Sequence, residues 1–336
     1  MTELYALANL DFEYELAGRT LPSSVARRWR HVLRLLPEAR SANCLDPGDL
    51  GGPIYERLVA WGVTPRVLQL APGQEFPSPQ VVSEVNDKRF SHQLEKHFGV
   101  ELPWARLLHS LEELEAAVRD CPYDWVLKHP LGVSARERVV GKRGRLSDSG
   151  RGWARKQLAR WSLLFEPWVE PRRDFSLHFE IARDGTWAFV GHCQLVVDPS
   201  GVYRGNQVLS GEEVPGRALA CGCAVAGELA RKGYWGPLGI DAFEGMLGVQ
   251  PVLRPLVEIN ARYSFGRLTL ALRDWLPEGW CLLWSHPKQG AEAYPPLPAQ
   301  PRPGAYGLPV EADPEGISGT IVCVAPTPDE LSRVRA

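Results

Sequence analysis

No uninterrupted apolar stretch of this 336-residue chain approaches the roughly 20 residues that a membrane-spanning helix needs, so membrane insertion is not expected. Residues 1–19 also lack a basic segment followed by an apolar core, and secretion is not expected. The seven cysteines are odd in number and scattered from Cys44 to Cys323, which fits reduced thiols in a cytoplasmic protein better than a disulfide framework. The closest pair, Cys221-Gly-Cys223, lacks the spacing of a zinc knuckle or redox motif, and both cysteines are expected to pack from a helix over residues 217–232. With 38 basic against 40 acidic residues, no global positive field recruits nucleic acid or an anionic membrane. Residues 4–70 hold no Gly-x-Gly-x-x-Gly, which argues against a dinucleotide site there. No internal repeat is visible.

What remains is an ordinary globular mixture, 44% hydrophobic and 23% charged, long enough for about two domains. Residues 4–10 read as a strand. Residues 24–36 place Val25, Trp29, Val32, Leu33 and Leu36 on one helical face, residues 54–61 start a short helix ended by Gly62, and residues 67–70 read as a buried strand. Three prolines between Pro72 and Pro79 mark a boundary. Beyond it, Phe90, Leu94 and Phe98 recur at helical spacing after Asn86-Asp87, and Gly99 closes the run. Ser110-x-x-Glu113 opens another helix as a capping box, and residues 125–128 form a strand ending in Lys128. Residues 136–160 carry nine Lys or Arg against Glu137 and Asp148, either a solvated face or an anion site.

Strand patterns dominate residues 163–197, turning at Arg183-Asp184-Gly185, and return at 238–243 and 256–259 across a loop rich in Gly and Pro. Eight prolines from Pro287 to Pro314 point to an irregular connector, after which residues 321–324 add a strand and a short helix follows.

The pattern that carries chemistry is Asp241, Glu258 and Asn260. Alternate side chains of a strand share a face, so Glu258 and Asn260 project together while Val257 and Ile259 point to the core. Paired with residues 238–243 as a hairpin, that strand brings Asp241 to the same site. Two carboxylates and an amide oxygen suit magnesium, and the bland alternative is a strand with solvent-facing polar residues.

The order Asn-Asp-Lys (86–88), Trp-Val-Leu-Lys (125–128), Phe-Glu-Pro-Trp-Val (165–169), Arg-Asp-Phe-Ser (173–176), Gly-Ile-Asp (239–241) and Glu-Ile-Asn-Ala-Arg (258–262) resembles the ATP-grasp superfamily of carboxylate-amine ligases over residues 81–272. The resemblance implies an α+β fold of two subdomains, 81–165 and 166–285, preceded by a small α/β domain over 1–80 and followed by a Pro-rich connector and tail over 286–336. It implies that Lys88 and Lys128 reach the nucleotide phosphates and that Glu166, Trp168 and Val169 form the adenine-reading hinge. It gives Asp174 the ribose hydroxyls and makes Asp241, Glu258 and Asn260 ligands of Mg2+, with Mn2+ as a substitute. Two departures stand out: residues 131–138 hold one glycine where the family has several, leaving Ser134, Arg136 and Arg138 as phosphate donors, and Gly239 replaces a frequent arginine, a role passed to Arg262.

The implied activity is ATP-dependent activation of a small-molecule or peptide carboxylate as an acyl phosphate, followed by transfer to an amine. Lys128 and Arg262 would neutralise the transferred group, with Arg172, Arg173, Arg204 and Asn206 as candidate holders of a substrate carboxylate. Two rivals stay open: a small-molecule kinase of the same fold, and a non-catalytic or nucleic-acid-binding protein using residues 136–160. The second lacks aromatic residues interleaved among its charges.

Overall fold

In Asp-Phe-Ser-Leu-His-Phe-Glu-Ile (174–181) apolar and polar residues alternate, and a strand sorts them onto two faces. The computed structural model describes residues 3–19, 32–45, 54–132, 137–198, 203–285, 295, 298–307 and 321–335. It places this octapeptide in the strand Glu170–Ile181, third in an eight-stranded antiparallel sheet. Phe175, Leu177, Phe179 and Ile181 are all buried. Two of them face the helix Gly216–Arg231, where a Cβ at Gly222 would stand 2.9 Å from Leu177 and 3.0 Å from Phe179. His178 faces the opposite helix, Phe265–Arg273. One face is therefore apolar and the other carries the chemistry.

Numbered along the chain, the strands are β1 (Leu4–Leu7), β2 (Asn43–Cys44), β3 (Arg57–Ala60), β4 (Arg106–Leu108), β5 (Trp125–Lys128), β6 (Arg138–Gly141), β7 (Leu163–Pro167), β8 (Glu170–Ile181), β9 (Trp187–Val197), β10 (Tyr203–Val208), β11 (Gly236–Leu247), β12 (Gln250–Asn260), β13 (Cys281–Ser285), β14 (Gly304–Gly307) and β15 (Ile321–Ala325). The helices are α1 (Phe12–Leu16), α2 (Pro65–Leu70), α3 (Pro79–Val85), α4 (Lys88–Phe98), α5 (Leu111–Asp120), α6 (Asp148–Leu158), α7 (Gly216–Arg231), α8 (Phe265–Arg273) and α9 (Pro328–Arg335). The strands form a parallel sheet β2-β1-β3, an antiparallel sheet β4-β7-β5-β6, and the large sheet β12-β11-β8-β9-β10-β13-β15-β14.

The sequence expectations fail at the first α/β unit. Residues 57–60 form a strand paired parallel to β1, and residues 65–70 form a helix, the reverse of the periodicity reading. The reason is local: Thr64 caps the helix by accepting from the Val67 amide, and Pro65 sits in the first turn, where its missing N–H costs nothing. Of the helix expected over 24–36, residues 24–31 lie outside the described residues; 32–35 form a short 3-10 turn.

The Gly- and Pro-rich loop expected between 243 and 256 is instead continuous hairpin. Leu247 pairs with Gln250 across a two-residue turn, and Gly248 takes φ 61° there. Within the proline-rich stretch, residues 304–307 pair with β15.

The small sheet is packed by Trp125, Leu127 and Phe165 against α5 and α6. Ser110 caps α5 through the Glu113 amide, while the Glu113 carboxylate accepts from the His109 amide at 2.6 Å. Lys128 and Glu166 are thereby turned to the other face, towards the large sheet. Among the described residues no helix is long and apolar enough to cross a membrane.

Helix α8 packs tightly on the polar face at Gly266, where a Cβ would lie 2.5 Å from His178 Nε2 and 2.9 Å from Cys193 Sγ. Gly266→Ala should lower stability by about 1–3 kcal/mol through overpacking, read as a fall in the urea midpoint. Gly152→Ala on α6, where a Cβ meets nothing within 4 Å, should be neutral or slightly stabilising.

Candidate functional site

Asn86, Asp87 and Lys88 each hold a different piece of the site. Asn86 Oδ1 accepts from the Ala261 amide at 2.9 Å, tying the end of α3 to the end of β12. Asp87 caps α4 by accepting from the Arg89 amide at 2.8 Å. Lys88, pinned at the first helical position, sends its Nζ to the Gly132 carbonyl and to Glu258 Oε1, both at 2.7 Å. The ammonium thus joins α4, the loop after β5 and the large sheet.

Opposite lies the β11–β12 hairpin. Asp241 pairs with Glu258 across it, so the two carboxylates share the polar face. Asn260 Nδ2 donates to Asp241 Oδ2 at 3.2 Å, and Asn260 Oδ1 accepts from Arg262 Nη2 at 2.8 Å. Arg262 also donates to Glu13 on α1 and to the Tyr263 carbonyl, and lies over the rings of Phe12 and Trp61. Burial, followed by the charge of Glu258, pushes the Asp241 carboxyl up to about 7. Glu258 already pairs with Lys88, and Asp241 is buried beside that second carboxylate, an arrangement that a further cation would relieve.

The donor set fits a hard divalent cation in part. Asp241 and Glu258 are oxygen ligands of the right kind for Mg2+, which commonly keeps one or two carboxylates and fills its other positions with water and phosphate. Asn260 as placed gives its oxygen to Arg262 and acts as a spacer between Asp241 and that guanidinium. Among the described residues no three His, Cys, Asp or Glu side chains converge into a closed metal cage.

These groups border one cavity of about 360 Å³ between the two antiparallel sheets. Lys88, Lys128, Asp174, Asp241, Glu258, Asn260 and Arg262 all line it. Burial raises the Asp174 carboxyl. Glu166, Trp168 and Val169 are not among the lining residues. Val169 packs with Leu102 and Leu247, and the Trp168 amide donates to the Asp124 carbonyl at 2.7 Å. Ser134 and Arg136 lie outside the described residues. Arg138 lines the cavity and stands over the Trp168 ring. Arg173 pairs with Glu212 and Glu244, Arg204 with Asp198, Arg172 is exposed, and Asn206 is buried against Tyr203; none of the four lines the cavity.

The sequence reading missed Arg254, which is 2% exposed. Its Nε donates to Glu95 Oε1 at 3.0 Å and its Nη2 to Glu166, whose other oxygen pairs with Lys128 Nζ at 2.6 Å. Burial alone would raise the Glu166 carboxyl, but Arg254 and Lys128 reverse the sign and hold it below its usual range. Burial also lowers the Lys128 ammonium, with Glu166 acting against that shift. Glu166 is therefore a buried anchor for Lys128. The available signal was a lone arginine in the apolar run Val-Leu-Arg-Pro-Leu-Val (252–257) and a polar helical stripe of Lys88, Ser91, His92 and Glu95.

Comparison with known proteins gives no match to a protein-family model and none to a curated protein. Solved structures do match. N5-carboxyaminoimidazole synthase from Aspergillus clavatus, in complex with ADP and 5-aminoimidazole ribonucleotide, aligns with TM-score 0.58 and 15% identity over 91% of this chain and 93% of its own. N5-carboxyaminoimidazole synthetase from Staphylococcus aureus, complexed with ADP, aligns with TM-score 0.54 and 10% identity over 82% and 78%. The biotin carboxylase domain of Hydrogenobacter thermophilus 2-oxoglutarate carboxylase, with MgADP and bicarbonate, aligns with TM-score 0.54 and 15% identity over 75% of this chain and 64% of that one. The present chain thus spans less than two thirds of that domain.

Two outcomes test the electrostatics. Arg254→Met leaves Glu95 and Glu166 without their shared counter-charge and should cost about 3–5 kcal/mol of stability, measured by denaturant unfolding. Asp241 has a folded pKa above its unfolded value, so the folded state binds the extra proton: that stabilisation is complete below about pH 4 and is lost as pH rises through about 7. Without divalent cations, Asp241→Asn should therefore melt higher than the parent chain at pH 8, with the gap closing towards pH 5.

The polar face of the large sheet, the small sheet that covers it and these structural neighbours together show that the chain has the α+β ATP-grasp fold, preceded by a small parallel α/β unit.

Proposed function

We propose that this chain is an ATP-dependent carboxylate-amine ligase, which phosphorylates a carboxylate with ATP and passes the acyl group to an amine. The observation that carries the reading is the cavity itself: Lys88 and Lys128 on one side, Asp241 and Glu258 side by side on the other, with Asp241 held protonatable near neutral pH by burial and by the neighbouring Glu258. The neighbours support it, since their solved complexes hold ADP, MgADP, bicarbonate and 5-aminoimidazole ribonucleotide.

Mg2+, when bound by Asp241 and Glu258, would offset phosphate charge during transfer. The rest is work for the chain's own residues. Lys128, fixed by Glu166, and Lys88, fixed by the Gly132 carbonyl, present two ammonium groups to the phosphates. Arg262, braced by Glu13 and Asn260, lines the cavity beside Trp61 and can hold the carboxylate being activated. Burial between two sheets keeps water from the acyl phosphate until the amine arrives. No protein nucleophile is needed.

A small-molecule kinase would share every residue named so far, and chemistry separates the two. ADP release should depend on added carboxylate and rise with the correct amine, and hydroxylamine should trap the activated acyl group as a hydroxamate. Glu258→Gln, which keeps shape but removes one anionic ligand, should lower ADP release at least a hundredfold while Lys88 keeps a polar partner and the fold is retained. A phosphorylated alcohol as sole product, with no hydroxamate, would assign the chain to the kinases.

A further inference from the structure

The cavity is charged at one end and apolar at the other. Across the large sheet the order β12-β11-β8-β9-β10 sets Glu258 and Asn260 on the first strand and Asp241 on the second. Asp174 and Ser176 follow on the third, then Leu195 and Val197 on the fourth and Tyr203 on the fifth. Cross-strand pairing keeps these on one face: Asp241 opposes Ser176, Ser176 opposes Cys193, and Leu195 and Val197 continue the same side of β9. Val197 opposes Tyr203. The roof over β9 and β10 is Phe265, whose ring stacks on Tyr203 with centroids 6.0 Å apart and meets Trp61 at 5.2 Å. Leu10 completes the wall.

Charge is scarce at this end. Among the described residues, of the lysines and arginines that line the cavity, Lys88, Lys128 and Arg138 belong to α4 and the small sheet, and only Arg262 stands beside Trp61. Its companion Glu13 is bonded to it. Arg204, the nearest basic residue on β10, pairs with Asp198 and does not line the cavity. A phosphorylated or polyanionic substrate would be desolvated here against aromatic rings with, among the described residues, one guanidinium to meet it, which is costly. A single carboxylate on an apolar body meets that guanidinium with its head and the rings with its tail.

Resting on the ligase reading above, we infer that the carboxylate substrate is a monocarboxylic acid with an aromatic or branched aliphatic body. Its carboxylate lies against Arg262, and its body lies on Leu195, Val197, Tyr203 and Phe265. Titration calorimetry on the full chain with Mg·ADP present compares 3-phenylpropanoate and 4-methylpentanoate with glutarate and ribose 5-phosphate.

The two apolar acids should bind at least about tenfold more tightly than the other two, a difference of the size that apolar pockets give. Val197→Lys, which adds a charge to a half-buried lining position, should weaken 3-phenylpropanoate by about tenfold or more and leave ADP affinity within about twofold. Phe265→Leu, which keeps the roof apolar, should weaken it less. Glutarate or ribose 5-phosphate binding as well as the apolar acids, no binding of any of the four, or an unchanged 3-phenylpropanoate affinity in Val197→Lys would each overturn the inference. If the apolar preference holds and yet no carboxylate promotes ADP release, the apolar subsite stands and it is the ligase reading that fails.

Discussion

Arg254 is the one charge on which the two sheets depend. It sits on β12, yet its guanidinium reaches Glu95 on α4 and Glu166 on β7, so a single side chain joins a helix and both antiparallel sheets. It turns inward at a register irregularity between Asp241 and Phe243, where the opposing strand carries Pro255. Proline has no N–H to give the ladder, and a local break is the usual outcome. The Arg254 Nε also donates to the Leu256 carbonyl at 3.2 Å, so the side chain repairs part of the break that its neighbour causes. Beyond the break the strand resumes with Asp241 opposite Glu258, the pairing the cavity requires.

Such buried ion networks seldom add stability over a well-packed apolar core, because desolvation offsets most of the attraction. What this one supplies is position. Lys128 ends a strand of three apolar residues and is largely buried on the opposite face; without an anion beside it the ammonium would tend to lose its proton or swing away. Glu166 prevents both, and Arg254 keeps Glu166 ionised. The cost of burying these charges is met by the apolar faces of the same sheets, where Trp125 and Leu127 pack on one and Phe175, Leu177 and Phe179 on the other.

The sequence made local and cross-strand features readable and long-range pairings unreadable. Glu258 and Asn260 share a face because strand geometry demands it, and Asp241 joins them through a hairpin that two alternating runs specify. The helix from Lys88 to Phe98 was marked at both ends by Asp87 and Gly99. Residues 57–60 and 67–70 were exchanged because a four-residue apolar run fits a strand or a helix turn equally well, and Thr64-Pro65 was the deciding cue. Glu166 was read as part of a hinge, since nothing near it in sequence reveals Arg254, 88 residues away. Glu95 was hidden for the opposite reason: a polar stripe on an amphipathic helix normally faces water, and here it faces an arginine.

The small N-terminal unit supplies walls of the cavity. Leu10, Glu13 and Trp61 all line it. Trp61 accepts from the Tyr263 amide through its carbonyl at 2.9 Å, and Asn9 fixes the neighbouring turn by exchanging hydrogen bonds with Gly62. Phe12 explains why residue 62 is glycine, since a Cβ there would lie 2.4 Å from its ring. Glu13 then holds Arg262, Arg262 holds Asn260, and Asn260 touches Asp241. A relay of four polar side chains therefore runs from the first helix of the chain to the carboxylate pair. A change in how the N-terminal unit seats on the sheet must shift the Arg262 guanidinium beside the apolar wall. The unit that shapes the apolar wall is thus also the one that aims Arg262, so substrate fit and charge placement are set by the same contacts.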